Sequence, residues 1–283
     1  MPAYAFTWRY SLNKADKNVL TGRAAEVRPF YVMELLARAG QLEAEGRSVL
    51  HLEVGEPDFP TPQPIIDAGI RALRQLKTHY TPALGLPELR QSIAAYYQQK
   101  FNVEIDARRV IVTPGASGAL QLALSVLVDT GDNVLLTDPG YPCNRNMIKL
   151  LGADSTIVPV GADTQFQMTA ADISRHWNEK SVAAMIASPS NPTGTMIPRQ
   201  ELISLIEGVD AAGGHLIVDE IYQGLVYSGD DLTALSFSND VFVINSFSKY
   251  FGMTGWRLGW MVVPDEYVDA IDRVAQNLFL AAS

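Results

Sequence analysis

The feature that most limits what this chain can fold into is an alternation. β-like apolar runs recur at RVIVT (109–113), NVLLT (133–137), STIVPV (155–160), VAAMIAS (182–188), HLIVDE (215–220) and VFVINS (241–246). Helical patterns lie among them at 62–76, 86–101, 117–128, 141–151 and 198–212. Strands that alternate with helices pair in parallel, so the order predicts an α/β fold: a mostly parallel sheet with helices on both faces. SVLHLEV (48–54) reads as a further short strand that runs into the Gly-Glu-Pro-Asp turn at 55–58. Ahead of it, residues 27–46 carry apolar side chains at helical spacing and stop at Gly46. Residues 1–24 are polar and without a clear period, and read as a flexible arm. VDAIDRVAQNLFLAAS (268–283) starts a helix as the sequence ends. No internal repeat or low-complexity linker interrupts the pattern.

Ligands of such a sheet gather at the carboxyl ends of its strands. Asn191, Asp219 and Lys249 each fall at or just past a strand end, and Gly115–Gly118 follow another. Four strand ends therefore converge on one crevice.

Composition removes several classes of function. With 283 residues and 47% hydrophobic content the chain can bury a large core, and a net charge of −9 speaks against a nucleic-acid surface. One cysteine, Cys143, excludes an internal disulfide framework and suits a reducing cytoplasm. No apolar run approaches a membrane span, and the first thirty residues lack a signal-peptide core. The four histidines show no metal-ligand spacing, and His215, at the head of an apolar strand, reads as structural. The expectation is a soluble cytoplasmic protein that touches neither nucleic acid nor membrane.

The chemistry-bearing residues cluster in a few strings. SFSKYFGMTGWRLGW (246–260) places Lys249 between small hydroxyl residues, with Arg257 eight positions on and Gly252, Gly255 and Gly259 along the run. A lysine that attacks an aldehyde must be neutral, which requires desolvation and nearby cations. TPGASGALQLAL (113–124) is a strand, a Gly-rich turn and a helix start. The N–H groups of such a start, at Gly115, Ala116 and Ser117, suit a phosphate, although Gly115 and Gly118 lack the dinucleotide spacing. HLIVDEIYQG ends a buried strand on two acids, of which either Asp219 or Glu220 could meet a cationic partner on charge alone. SPSNPTGT, around Asn191, is by itself ordinary turn chemistry.

Together, and in this order, these strings resemble the class I/II aminotransferases, pyridoxal 5′-phosphate (PLP) enzymes of the aspartate aminotransferase fold (fold type I). The resemblance runs from about residue 25 to the last residue. It implies a Schiff base between Lys249 and PLP, with Lys249 then moving the proton between Cα and C4′. It selects Asp219 over Glu220 as the carboxylate facing the pyridine nitrogen, and gives Tyr222 and Asn191 hydrogen bonds to the ring oxygen O3′. Ser246, Ser248 and Arg257 join Gly115, Ala116 and Ser117 at the phosphate, and Tyr141 stacks on the ring. Tyr80, in HYTPALGLPELR, matches a tyrosine that reaches the neighbouring subunit's phosphate, implying a homodimer with shared active sites. Gly55 and Asn191 line the substrate pocket.

The resemblance further implies that residues 1–49 belong to an arm and helix of a smaller domain, and 50–283 to the PLP-binding domain. Relatives continue for about another hundred residues, which carry the arginine for the substrate carboxylate, so the chain reads as C-terminally truncated. The activity implied is transfer of an amino group from an amino acid to a 2-oxo acid. A β-lyase, decarboxylase or synthase would share the same residues. A non-catalytic PLP sensor would need a DNA-binding domain that residues 1–24 are too short to supply.

Overall fold

The computed structural model of the protein describes residues 20–283; residues 1–19 of the expected arm lie outside the described residues. Seven strands form one sheet: β1 (Val110–Thr113), β2 (Asn133–Asp138), β3 (Asp154–Pro159), β4 (Ser181–Ala187), β5 (His215–Asp219), β6 (Phe242–Ser246) and β7 (Gly259–Val262). Their order is β1-β7-β6-β5-β4-β2-β3. The pairs β2·β3, β2·β4, β4·β5 and β5·β6 are parallel, and β7 runs against both of its neighbours.

The helices are α1 (Gly22–Glu26), α2 (Tyr31–Ala44), α3 (Gln63–Arg74), α4 (Pro87–Phe101), α5 (Gly115–Leu127), α6 (Cys143–Leu150), α7 (Ala170–His176), α8 (Arg199–Ala211) and α9 (Val268–Leu278). The two-residue period of the strands sorts them into two layers. Ile111, Ile217, Ile244 and Met261 point to one face and meet Leu120 of α5, Ile148 of α6 and Ile271 of α9. Val112, Val218, Val243 and Trp260 point to the other and meet Tyr97 of α4, Ile173 of α7 and Leu205 of α8. Each fully buried aliphatic side chain contributes roughly 2 kcal/mol of transfer free energy, so both layers are needed to hold so large a sheet.

Four local features differ from the sequence reading. Residues 48–54 form no strand: no neighbouring strand offers them a ladder, and Leu50 and Leu52 stand 90% and 92% exposed. β7 was hidden because GWMV, four residues long, sits inside a glycine-rich string. α7 was missed although Thr169 and Asp172 form a reciprocal capping box at its start. Across the end of the expected arm, α1 is about a turn and a half of helix capped by Thr21. His215 is structural, as read: its Nε2 lies 3.1 Å from the Tyr267 hydroxyl, and burial lowers its pKa. Among the described residues no helix is long and apolar enough to cross a membrane.

Candidate active site

A cleft of about 480 Å³ opens where the parallel strands end. Its walls include Gly55, Ala116, Ser117, Tyr141, Asn191, Asp219, Tyr222, Ser248, Lys249 and Arg257. These come from six separate stretches of chain, and the strand topology brings them together. Gly115 lies directly behind Ala116, and Ser246 sits buried one layer behind Ser248. Tyr80 is the exception: it does not line the cleft and its side chain is 87% exposed.

Lys249 follows β6. Its Nζ donates to the Gly55 carbonyl at 2.7 Å and lies 5.8 Å from the Tyr222 ring centroid. Burial lowers its pKa, Glu56 opposes that effect, and Arg257 reinforces it. The amine therefore has a backbone acceptor and no directly bonded carboxylate, so loss of its proton is easier than for an exposed lysine.

Arg257 adopts a left-handed backbone conformation (φ 54°), which side-chain-bearing residues rarely occupy, and its Nη1 donates to the Thr254 carbonyl at 2.9 Å. The guanidinium lies over the turn at Gly115: a Cβ there would come within 2.5 Å of Arg257 Nη2. Gly115 itself has φ +70°, so glycine is demanded twice at one position. Gly259 answers the same need from the next strand, since a Cβ there would meet the Gly115 carbonyl carbon at 2.7 Å and Ala116 N at 2.8 Å. The outcome is a guanidinium beside the free N–H groups at the start of α5, where the helix dipole adds about half a positive charge. Ser248 stands on the same wall, with its Oγ 2.9 Å from Ser246 Oγ. Ser246 Oγ is also 3.1 Å from the Leu258 carbonyl, so this serine holds its neighbour in place.

Asp219 ends β5 on the α5 face. It is 8% exposed, and its Oδ1 accepts from the Ile221 N–H at 3.0 Å. Burial pushes its carboxyl up to about 6. The next residue, Glu220, is 1% exposed and by strand alternation lies on the α4 face, away from the cleft. Of the two acids which charge alone left open, only Asp219 lines the cleft. Asn191 Nδ2 donates to the Tyr222 hydroxyl at 3.4 Å, a pair whose remaining donor capacity faces the cleft. Tyr141 packs edge-on against Phe30 at 5.8 Å between centroids, and burial raises its phenol pKa.

Sequence reasoning missed the near wall. Phe30, Val32 and Met33 line the cleft from the start of α2, and Asn144 and Arg145 line it from α6. Asn144 Oδ1 is buried with no hydrogen-bond partner. Helical periodicity marks both segments as helices, but nothing in it says which end faces a cleft.

The donor set suits PLP. A buried carboxylate with spare acceptor capacity, a phenol–amide pair, an amine of lowered pKa and an arginine beside a helix start match a protonated ring nitrogen, a ring oxygen, an aldehyde and a phosphate.

Comparison with known proteins gives the same answer. The family model for aminotransferase class I and II matches residues 47–283. The chain is 42% identical to a (5-formylfuran-3-yl)methyl phosphate transaminase of Methanocaldococcus jannaschii, over 93% of this chain and 69% of that protein. It is 40% identical to a valine–pyruvate aminotransferase of Mycobacterium tuberculosis, over 89% of this chain and 66% of that one. Among solved structures, an aminotransferase from Mycobacterium tuberculosis superposes with a TM-score of 0.89 at 39% identity, covering 93% of this chain and 68% of its own. An aspartate aminotransferase from Thermus thermophilus with maleate gives 0.90 at 29% identity, covering 94% and 70%. The chain thus spans about two thirds of the length of the relatives it matches.

Proposed function

The chain belongs to the class I and II aminotransferases, PLP-dependent enzymes of fold type I, and we propose that it transfers an amino group from an amino acid to a 2-oxo acid with Lys249 as the residue that holds the cofactor. The observation that carries this reading is the shared wall of Lys249, Asp219 and Arg257 in one cleft. When bound, PLP supplies an electron sink that stabilises negative charge at the substrate's Cα.

The chain's own residues do the rest. Lys249, with its pKa lowered by burial, is a nucleophile and then a proton carrier at Nζ. Asp219 faces the ring nitrogen. Burial pushes its carboxyl up to about 6, and a positive partner draws it back down. Tyr222 and Asn191 donate to the ring oxygen. Gly115, Ala116 and Ser117 offer backbone N–H groups to the phosphate, Arg257 takes it through a charge-assisted fork, and Ser246 supports Ser248 beside it. Tyr141 limits the ring to one plane, and Gly55 and Asn191 border the space left for the amino acid.

Tyr80 serves a second copy of the chain in this reading, because it is exposed and outside its own cleft. The active form is then a homodimer, and the exposed Ile70, Leu73 and Trp256 are candidates for burial in it. Residues 50–283 make up the cofactor domain, with 1–49 belonging to a smaller one. Cytoplasmic PLP and amino acids are the partners this chemistry needs.

Borohydride reduction of the PLP-loaded chain, followed by peptide mass mapping, tests the assignment of Lys249. Treatment with a panel of amino acids, then with 2-oxo acids, tests the reaction. Amino-acid conversion of the visible absorption, reversed by a 2-oxo acid, supports transamination; conversion that no 2-oxo acid reverses sinks it in favour of elimination or decarboxylation.

A further inference from the structure

Behind the cleft, on the α4 face, lies a buried polar cluster that none of the roles above uses. It comprises Glu220, Gln223, Thr233 and Asn245, exposed by 1%, 2%, 0% and 4%. Most of its bonds run toward Glu220 or through Gln223. The Ala234 N–H donates to Glu220 Oε1 at 2.8 Å, and Gln223 Nε2 donates to Glu220 Oε2 at 2.9 Å. The other Gln223 Nε2 proton goes to the Leu232 carbonyl at 3.0 Å, and Gln223 Oε1 accepts from Asn245 Nδ2 at 3.1 Å. Asn245 Oδ1 in turn accepts from the Ser246 N–H at 2.7 Å.

The cluster grips a segment that is otherwise tied by the Gly224 N–H donating to Asp231 Oδ1 at 3.3 Å and by the Asp231–Lys100 ion pair. Between β5 and the short helical turn at Ala234–Ser236 the chain forms no helix or strand, and Tyr222 sits in this stretch. The residues there alternate in pairs three apart: Asp219 and Tyr222 line the cleft, while Glu220 and Gln223 point into the cluster. The backbone turn is closed by the Gln223 N–H donating to the Glu220 carbonyl at 2.9 Å. Tyr222 therefore projects from a turn whose opposite side is bolted to the far end of the loop, at Ala234, and to β6, at Asn245.

We infer that Glu220 is a positioning residue for Tyr222: its carboxylate, gathering donors from Ala234 and Gln223, fixes the turn that aims the Tyr222 hydroxyl at the cofactor. The inference rests on the functional reading above only for the cofactor's place. The cluster, the turn and the projection of Tyr222 are geometry of the chain itself. Its energetic logic is that a buried carboxyl group whose two oxygens each accept from one fixed donor holds one arrangement firmly, because each alternative strands a donor.

Two readouts test it. In the chain without PLP, amide hydrogen exchange at Gln223–Leu225 and Ala234 rises in Glu220→Gln, because one acceptor oxygen then serves two donors and the new NH2 group faces either the Ala234 N–H or the Gln223 amide. Unchanged protection at those amides overturns the inference whatever the enzyme's reaction proves to be. In the PLP-loaded chain, Glu220→Gln lowers the rate constant of the amino-acid half-reaction about ten-fold with KM nearly unchanged, since a misplaced group costs chemistry before binding. In a Tyr222→Phe background the same substitution costs less than about two-fold, because the group it positions has gone. Equal losses in both backgrounds show that Glu220 acts elsewhere and overturn the inference. If Glu220→Gln yields no folded protein, the cycle is run with Gln223→Met, which removes the same donor, and the same two outcomes decide.

Discussion

Asp219 and Glu220 are neighbours in sequence, both buried, and both pushed up by burial, to about 6 and about 8. Their bonding separates them. Asp219 accepts from one backbone N–H and faces a cleft, whereas Glu220 collects the Ala234 N–H and the Gln223 amide inside a closed cluster. The lysines repeat the contrast. Lys100 is 2.6 Å from the Asp231 carboxylate, while Lys249 has a lone backbone carbonyl. On the closed side of the sheet, polar groups are satisfied by each other and hold the chain in one shape. On the open side they are left short of partners, and that shortage is what a ligand fills.

The contrast is broken most severely by losing the amine. Lys249→Ala is expected to abolish covalent attachment of PLP and to lower transamination by about 10⁴-fold, measured by reductive trapping and steady-state assay. Next is Asp219→Ala, which should leave attachment intact and slow the amino-acid half-reaction by about 10²–10³-fold in stopped-flow absorbance. A near-normal rate counts against its role at the ring nitrogen.

Stability sharpens the contrast further when each acid is tested at the pH that isolates its effect. Asp219 has a folded pKa above its unfolded one, so its contribution is greatest at low pH and is lost as pH rises through about 6. The raise from 3.8 to about 6 corresponds to about 3 kcal/mol of penalty on the charged form. Asp219→Asn should therefore stabilise the PLP-free chain against urea at pH 8, by up to that amount, with little gain at pH 4. Glu220→Met leaves the Ala234 and Gln223 donors unpaired and, at pH 4, where Glu220 is mostly uncharged whether folded or unfolded, should destabilise the chain by about 1–3 kcal/mol. A loss for Asp219→Asn at pH 8, or a gain for Glu220→Met at pH 4, would erase the distinction drawn between the two sides. The smallest expected effects lie in the glycines of the Lys249 string. Gly259→Ala should cost about 1–3 kcal/mol and weaken PLP binding, because its Cβ meets backbone at Gly115 and Ala116. Gly255→Ala, with nothing within 4 Å, should stay within about 0.5 kcal/mol.

Much of this was legible in the sequence. Six of the seven strands were visible because parallel strands buried on both faces read as apolar runs, and their ends correctly placed Asn191, Asp219 and Lys249 on one crevice. What was lost had physical causes. β7 is short, antiparallel and embedded in glycines whose purpose is close approach to Gly115, so its strand character is masked by its packing role. Residues 48–54 carry apolar positions two apart at Leu50, Leu52 and Val54, but period alone cannot supply a neighbouring strand. Charge alone left Asp219 and Glu220 open and the resemblance named Asp219; the sheet puts Asp219 on the cleft side and Glu220 behind it, whereas the near wall from Phe30, Val32 and Met33 needed the packing of α2.

The most direct test of the account is reduction of the PLP-loaded chain with borohydride and mass mapping of the modified peptide. The account expects a visible absorption band that reduction removes, with the added mass on Lys249 and none in Lys249→Ala. Cofactor mass on another lysine, or equal labelling of the Lys249→Ala chain, would contradict it.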